Sequence, residues 1–412
     1  MCVIGMITRT YQMFTEEGPF SLPKLEEKVL EFWKKKGIFE KSLIARKGKK
    51  SFVFYEGPPT ANGRPGIHHV LARSFKDIIP RYRTMRGYFV ERKGGWDTHG
   101  LPVELEVEKK LGLKSKKEIE EYGIAEFNKK CRESVWQYKD EWERLTERMG
   151  FWIDLKNPYI TYENKYIETL WWIIKKFFEK ELMYLGHKVV PWCSRCGTAL
   201  SSHELAQGYK EVEDQSVYIK FRLKHGQKVG EWITTDHTYI LSWTTTPWTL
   251  PGNVALAVGR DIEYKAIETA DGEVLIFAKD REGTLGVSGR EVATISGEKL
   301  LNLEYFPLFN IPALQTLRSY RVYPADFVTT TDGTGVVHTA VMYGEDDYQL
   351  GASVGLPQHH TVTEEGIFTS DITKLGGLYV KDPEAEKRIF DHLTKNNNLL
   401  RAETYKHEYP HC

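Results

Sequence analysis

A short β-prone run, Ser51-Phe52-Val53-Phe54-Tyr55, breaks directly into Glu56-Gly57-Pro58-Pro59-Thr60-Ala61-Asn62-Gly63, and a helical pattern follows from about Val70. A strand that ends in a Gly/Pro/Asn loop and re-enters as a helix restricts the fold of this chain more than any other feature. Such a unit opens a parallel α/β sheet of the nucleotide-binding kind. Gly57 and Gly63 let backbone approach a ligand, and a helix N-terminus behind the loop stabilises phosphate charge. Alone, the glycine spacing is a weak signal.

At 412 residues the chain exceeds one ordinary domain and suffices for two or three. A helix opens at Ser21, with Pro23 near its start, Leu25, Val29, Leu30 and Trp33 on one face, and Lys34, Lys35 and Lys36 at the end that favours cations. Residues 117–150 and 163–185 are helical by pattern. The second carries an aromatic stripe, Trp171, Trp172, Phe177, Phe178 and Tyr184, which reads as core packing. From about Gly208 the texture becomes β-rich: Ser216–Phe221, Tyr239–Thr244, Val254–Val258, Glu273–Phe277 and Gly335–Ala340, parted by glycine, proline and charged turns. This predicts a mostly β domain inserted into the α/β domain. Asp382–Leu393 reads as a closing helix, and residues 402–412 lead back.

Lys+Arg and Asp+Glu each number 57, so the formal net charge is zero. That excludes a binder held to nucleic acid mainly by bulk charge and leaves a local basic groove open. No apolar run approaches the ~18 residues of a membrane span. The apolar N-terminus ends too soon for a signal sequence, so a cytoplasmic protein is expected. Of the five cysteines, Cys2, Cys131, Cys193, Cys196 and Cys412, only Cys193-Ser194-Arg195-Cys196 are close. An odd, sparse set reads as metal or thiol chemistry rather than a disulfide framework, with Cys2 and Cys131 incidental.

Four motifs stand in order: Gly57 to His69, Gly95-Trp96-Asp97-Thr98-His99-Gly100-Leu101-Pro102, Trp243-Thr244-Thr245-Thr246-Pro247-Trp248-Thr249, and Asp332 to His338 followed by Gly344-Glu345-Asp346-Asp347. Together they resemble the class I aminoacyl-tRNA synthetases of the isoleucine, valine and leucine group, over nearly the whole chain. The threonine-rich peptide is similar to that of the isoleucyl members. The resemblance implies an α/β fold: the first half of a Rossmann-type catalytic domain with an inserted β-rich, β-barrel-like editing domain. The implied bounds are 1–48 for an N-terminal extension and helix, 49–204 for the catalytic half with a zinc knuckle near 187–200, 205–398 for the insert, and 399–412 for a return segment. The implied activity is ATP-dependent formation of isoleucyl-adenylate, transfer to tRNA(Ile), and hydrolytic editing of valine and Val-tRNA(Ile). ATP with Mg is then a substrate, tRNA(Ile) and isoleucine are partners, and the protein is a monomer. The second signature of these enzymes, Lys-Met-Ser-Lys-Ser, is absent, which predicts an N-terminal fragment. Two rivals stand beside this reading: an editing deacylase without synthetic activity, and a non-catalytic tRNA- or zinc-binding module.

The resemblance also assigns residues. Pro58 lines the amino-acid side-chain pocket, Gly57 places backbone beside the substrate, and Asp97 receives the α-ammonium, for which a carboxylate is the right partner. By residue type alone, Asp97 is as well explained as a turn or helix cap. Gly63, Gly66, His68 and His69 belong to the ATP site. The usual signature is His-apolar-Gly-His, whereas this chain reads Gly66-Ile67-His68-His69. The first histidine and the glycine have exchanged places, so His68 and His69 are the imidazoles left to stabilise phosphate charge, and His68 puts bulk where adenine stacks. The exchange fits either an inactive copy or a rebuilt pocket. Retention of the other site residues favours the second, which resembles the second-type isoleucyl enzymes associated with resistance to pseudomonic acid antibiotics.

One methylene separates isoleucine from valine and is worth only about 1–3 kcal/mol in an apolar pocket, a magnitude established on isoleucyl enzymes themselves. By resemblance, the second site uses Asp347 for the α-amino group, Thr244, Thr245 and Thr246 for the terminal adenosine and the water, and His338 to exclude isoleucine. Taken alone, the threonines read as a strand edge and His338 as a core histidine. Val341 replaces the family's usual proline. Tyr409-Pro410-His411-Cys412 resembles the second half of a four-cysteine zinc site, which makes Cys193, Cys196 and Cys412 three structural zinc ligands, with the fourth expected beyond Cys412 and His411 a poor substitute. A free cysteine pair in a turn is the alternative.

Overall fold

The structure, a computed structural model, describes residues 20–206 and 208–412. The N-terminal stretch 1–19, with Cys2, lies outside the described residues. The chain packs as two compact units, Met1–Leu185 and Gly186–Cys412.

The first unit opens with α1 (Leu22–Lys36), preceded by extended Ser21 and closed by Gly37, and α2 (Ile38–Ile44). The nucleotide-binding pattern follows as β1 (Phe54–Tyr55), α3 (Ile67–Met85) and β2 (Arg92–Trp96). Next come α4 (Leu101–Leu111), α5 (Lys116–Tyr122), α6 (Ile124–Ser134), α7 (Lys139–Arg148), β3 (Asp154–Ile160) and α8 (Asn164–Glu179). Strands β1, β2 and β3 form a parallel sheet in that order. The first strand is shorter than the run at 51–55 suggests, although Ser51 still bridges to Phe89. Helix α3 starts at Ile67 rather than Val70. Its first turn is closed by His69, whose Nδ1 accepts from the Gly66 N–H at 2.8 Å. The 117–150 stretch is three helices, not one, broken at Gly123 and again at residues 135–138. Helix α8 ends at Glu179, short of 185, and Glu181 adopts a left-handed φ of 58°.

Trp96, Ala61 and Trp142 are buried together, with Trp136, Tyr138 and Ile160 packed around them. The aromatic stripe of α8 does not join a core: Trp171 is 68% exposed, Phe178 70%, and no residue of α8 is buried. The expected core packing is corrected here. A three-stranded sheet and a small indole-centred cluster offer too little apolar surface to cover this helix as well as α3, whose Ile67, Leu71 and Phe75 are also exposed.

The second unit begins with the hairpin β4 (Trp192–Cys193) and β5 (Thr198–Ala199), then α9 (Ser202–Ala206). Its strands continue as β6 (Tyr209–Arg222), β7 (Lys228–Val229), β8 (Trp232–Ile233), β9 (Thr238–Thr244), β10 (Ala255–Val258), β11 (Glu263–Glu268), β12 (Val274–Ala278), β13 (Arg290–Ser296), β14 (Arg321–Pro324), β15 (Val336–Thr339) and β16 (Leu399–Pro410). Helices α10 (Glu282–Leu285), α11 (Glu345–Val354) and α12 (Pro383–Lys395) are interspersed. The six-stranded sheet runs β13-β11-β12-β9-β6-β16, and a three-stranded sheet runs β14-β10-β15. Among the described residues these two ladders do not close into a ring: both are open sheets, where a barrel-like arrangement was expected.

Alternation explains the layers. Val217, Ile219 and Phe221 of β6 point to the larger core, with Ile240, Leu256, Tyr264, Ile276 and Val336. The neighbouring positions Tyr218, Tyr239 and Leu241 point to the opposite face, with Ile267, Leu275 and Phe277. Ser242 Oγ donates to Val336 O at 2.9 Å and Thr334 Oγ1 to Leu241 O at 2.8 Å, tying β9 to the β15 strand of the other sheet. Asp382 caps α12 by accepting from the Glu384 N–H, at the boundary the sequence indicates. Residues 402–412 are more than a return segment. Residues 402–410 lie within β16, which pairs antiparallel with β6 from Leu399↔Ile219 to Pro410↔Tyr209. No helix among the described residues is long and apolar enough to cross a membrane.

Candidate functional site

In the first unit, the loop after β1 is fixed from both sides. Thr60 bridges to Asp97, and the Asp97 N–H donates to Pro59 O at 3.0 Å, so the Pro58 loop and the Asp97 motif lie side by side. Trp142 Nε1–H donates to Gly63 O at 2.7 Å, and its ring meets His69 at 4.7 Å between centroids. Glu56 receives Lys76 at 2.6 Å beneath the exposed Gly57. The His68 and His69 rings lie against each other at 3.8 Å between centroids, tilted by 42°. Burial first, then the charges of His68 and Arg73, hold the His69 imidazole below its ordinary pKa. A Cβ on Gly66 would lie 2.9 Å from the His68 ring. The exchanged order is therefore locally consistent: the glycine makes room for the histidine two residues later. Trp142 was not legible as part of this site, since it lies 73 positions beyond His69.

The second unit gathers the threonine, histidine and aspartate motifs. At the end of β9, Thr244 and Thr246 hydroxyls lie 3.2 Å apart, and the Thr246 N–H donates to Thr244 Oγ1 at 3.1 Å. Thr249 Oγ1 donates to Thr246 O at 2.8 Å and lies 3.1 Å from His338 Nε2. Thr245 does not join this chain. It faces a cleft shared with Gln215, Pro247, Trp248 and Lys381. His338 is 8% exposed on β15, opposite Leu256 of β10, and its Nδ1 has no partner among the described residues. Burial pulls its pKa down to about 4, so the ring is neutral near pH 7.

Asp347 sits in the first turn of α11, and its Oδ1 accepts from the Ala340 N–H at 2.7 Å, two residues past His338. Burial raises its carboxyl to about 6, although the Ala340 N–H opposes the shift. Gly344 allows this conformation, because a Cβ there would fall 2.2 Å from Asp347 Oδ2. Val341 is buried against Gly351 rather than aimed at the polar groups. The site thus combines neutral hydroxyls, a neutral imidazole and one half-buried carboxyl group. That inventory can hold a cation and place water, and it offers no strong nucleophile. Thr249 escaped sequence reasoning; its only signal was the third threonine step in Thr244–Thr249.

The three cysteines also converge. Sγ atoms of Cys193, Cys196 and Cys412 all lie within 4.8 Å of one another, with Cys196 and Cys412 at 3.8 Å. Sulfurs sharing one tetrahedral zinc at Zn–S ~2.3 Å stand about 3.8 Å apart. The Cys193–Gly197 turn is closed by the Gly197 N–H donating to Cys193 O at 2.8 Å, and the β6–β16 ladder returns Cys412 to it. Burial and the neighbouring thiols push Cys196 up to about 12. A divalent cation would reverse that shift. The residues fit a structural zinc. Cys131 is far from this cluster in sequence and makes no part of it.

One unit with a three-stranded parallel sheet entered by a strand–loop–helix, and a second, β-rich unit bearing the threonine, histidine and aspartate motifs, together define a class. The family model described as tRNA synthetases class I (I, L, M and V) matches residues 28–391, and the chain belongs to that family. Its relatives point to one branch. The chain is 48% identical over 389 residues to the isoleucine–tRNA ligase of Clostridium novyi, covering 94% of this chain and 36% of that protein. It is 50% identical over 401 residues to the isoleucine–tRNA ligase of Thermus thermophilus, covering 97% and 37%. It is 49% identical over 388 residues to isoleucine–tRNA ligase 2 of Bacillus cereus, covering 94% and 36%. The chain thus spans little more than a third of the length of these relatives.

Proposed function

We propose that this chain is part of an isoleucine–tRNA ligase in which the first unit contributes half of a Rossmann-type site for ATP and isoleucine and the second unit removes valine from mischarged tRNA(Ile). One observation carries the editing half: motifs about ninety residues apart in sequence meet as Thr244–Thr246–Thr249–His338, with Asp347 anchored two residues beyond the histidine. Asp347 holds the α-ammonium of the valyl ester. Thr244, Thr245 and Thr246 hold the terminal adenosine and a water. The water adds to the ester carbonyl, and the ribose oxygen departs with a proton. Neutral His338 bounds the pocket against the extra methylene of isoleucine. In the first unit, Gly57 and Pro58 border the amino acid, Asp97 holds its ammonium, and Gly63, Gly66, His68 and His69 face ATP-Mg. The test is paired: the 412-residue chain hydrolyses Val-tRNA(Ile) faster than Ile-tRNA(Ile), and the full-length gene product shows isoleucine-dependent pyrophosphate exchange.

The exchanged signature gives a second reading specific support. With His68 packed against Gly66, an editing deacylase without synthetic activity predicts ester hydrolysis and no exchange from the full gene product. If the pocket is instead rebuilt, the paired substitutions Gly66→His and His68→Gly tighten binding of an adenylate-mimicking antibiotic by about tenfold or more in the complete enzyme, equivalent to ~1.4 kcal/mol. Gly66→His alone collides with His68 and lacks this gain. Unchanged inhibitor affinity in the paired variant rejects the rebuilt-pocket explanation.

Zinc, when bound, clamps the β4–β5 turn to the end of β16 through Cys193, Cys196 and Cys412. Cys196→Ser is expected to lose stoichiometric zinc by elemental analysis. Equal zinc in the variant and the unaltered protein disproves the assignment.

A further inference from the structure

Thr249 holds a position that fixes the protons of His338. Its hydroxyl has one hydrogen, and that hydrogen goes to Thr246 O, which can only accept, at 2.8 Å. Toward His338 Nε2, 3.1 Å away, Thr249 can then offer only a lone pair. The imidazole must supply the hydrogen of that contact. A neutral ring carries one N–H, so Nδ1 is left bare, and Nδ1 has no partner among the described residues although the side chain is more than nine-tenths buried. A buried acceptor without a partner is costly in a finished core.

We infer that Thr249 is a positioning residue that locks His338 in the Nε2–H tautomer and so holds the Nδ1 lone pair ready for a hydrogen-bond donor on a bound aminoacyl nucleoside. The ligand half of this inference rests on the editing reading above; the tautomer half does not. A ring free to swap tautomers would present an N–H at Nδ1, where a lone pair is needed, in part of its population. An exclusion wall built from such a ring would also lose its fixed orientation, because the Thr249 contact is its only polar anchor among the described residues.

The test uses the 412-residue chain labelled with 15N-histidine. Two-bond proton–nitrogen spectra of the unaltered chain should show a protonated Nε2 and a bare Nδ1 for His338. Thr249→Val removes the lone pair and should give mixed tautomers, while Thr249→Ser should restore the single form. With Val-tRNA(Ile) and Ile-tRNA(Ile) as substrates, the valine variant should lose about tenfold in selectivity and the serine variant less than about threefold. A protonated Nδ1 in the unaltered chain overturns the lock, and so does an unchanged tautomer in a folded Thr249→Val. If that variant fails to fold, the unaltered and Thr249→Ser spectra still decide. The correct tautomer in a chain that hydrolyses neither ester rejects the editing reading and leaves the lock standing.

Discussion

Replacing Asp347 with asparagine is expected to cut Val-tRNA(Ile) hydrolysis by about 100-fold, the loss of one charge-assisted contact to a buried ammonium, ~2.7 kcal/mol. Asparagine keeps an oxygen for the Ala340 N–H, so the first turn of α11 retains its anchor. The charge alone is lost. Because burial raises the Asp347 carboxyl to about 6, kcat/KM of the unaltered chain should climb as pH rises through that value and level off above it. The asparagine variant should show no such rise. Stability moves the other way. An acid whose folded pKa is raised disfavours folding when ionised, and that penalty fades as pH falls from about 6 toward the ordinary carboxylate value. At pH 7 the variant should therefore melt no lower than the parent, which separates lost chemistry from lost fold. Hydrolysis within threefold of the parent, or a persistent pH step, would falsify the role given to Asp347.

The largest stability effect is expected at Glu273→Ala. Lys220 lies on β6 with its ammonium buried, 2.9 and 2.8 Å from the two Glu273 oxygens and 2.8 Å from Asn397 Oδ1. Asn397 also donates to Glu273, and Asn398 exchanges backbone and side-chain bonds with Lys220. This cluster pins the turn before β16 to β6 and sets the register of the longest ladder in the protein. Removing the carboxylate leaves a buried cation without its counter-charge, at a cost of about 3–5 kcal/mol. Replacing both partners, as Lys220→Met with Glu273→Leu, should recover most of that loss. Urea unfolding of the 412-residue chain reads both values. A Glu273→Ala change below about 1 kcal/mol would show the pair to be solvated, as surface pairs are.

The second unit was the more legible of the two. Its strands announce themselves by two-residue alternation around Val217, Ile219 and Phe221, and its last helix by the Asp382 cap, because both signals are local. The full length of β6 was hidden. Residues 209–215 carry little apolar alternation and become strand only because β16 pairs with them. The first unit misled at α8, where an apolar stripe marked a helix correctly yet implied burial that this unit cannot supply. Amphipathicity states what a helix needs covered and is silent about what covers it.

The candidate sites divide along the same line. Gly57, Pro58, Asp97, Thr244–Thr246, His338 and Asp347 were singled out by the resemblance of motifs that are each continuous in the chain, residue type alone leaving them as turn, strand-edge or core positions, and the Cys193–Cys196 pair stood out by its spacing. Trp142 against His69, Thr249 against His338 and the Ala340 N–H on Asp347 were not, whereas the approach of Cys412 to Cys196 was expected from the resemblance.

What the amino-acid order determined by itself is which short segments carry chemistry and which backbone form each adopts, because capping, turn formation and periodic burial act over a few residues. What only the tertiary structure decided is how those segments face one another: which hydroxyl reaches the His338 ring, which way burial drives the Asp347 carboxyl, and how closely the cysteine sulfurs approach. Desolvation and hydrogen-bond geometry depend on neighbours that arrive from distant parts of the chain, and no local pattern encodes that arrival.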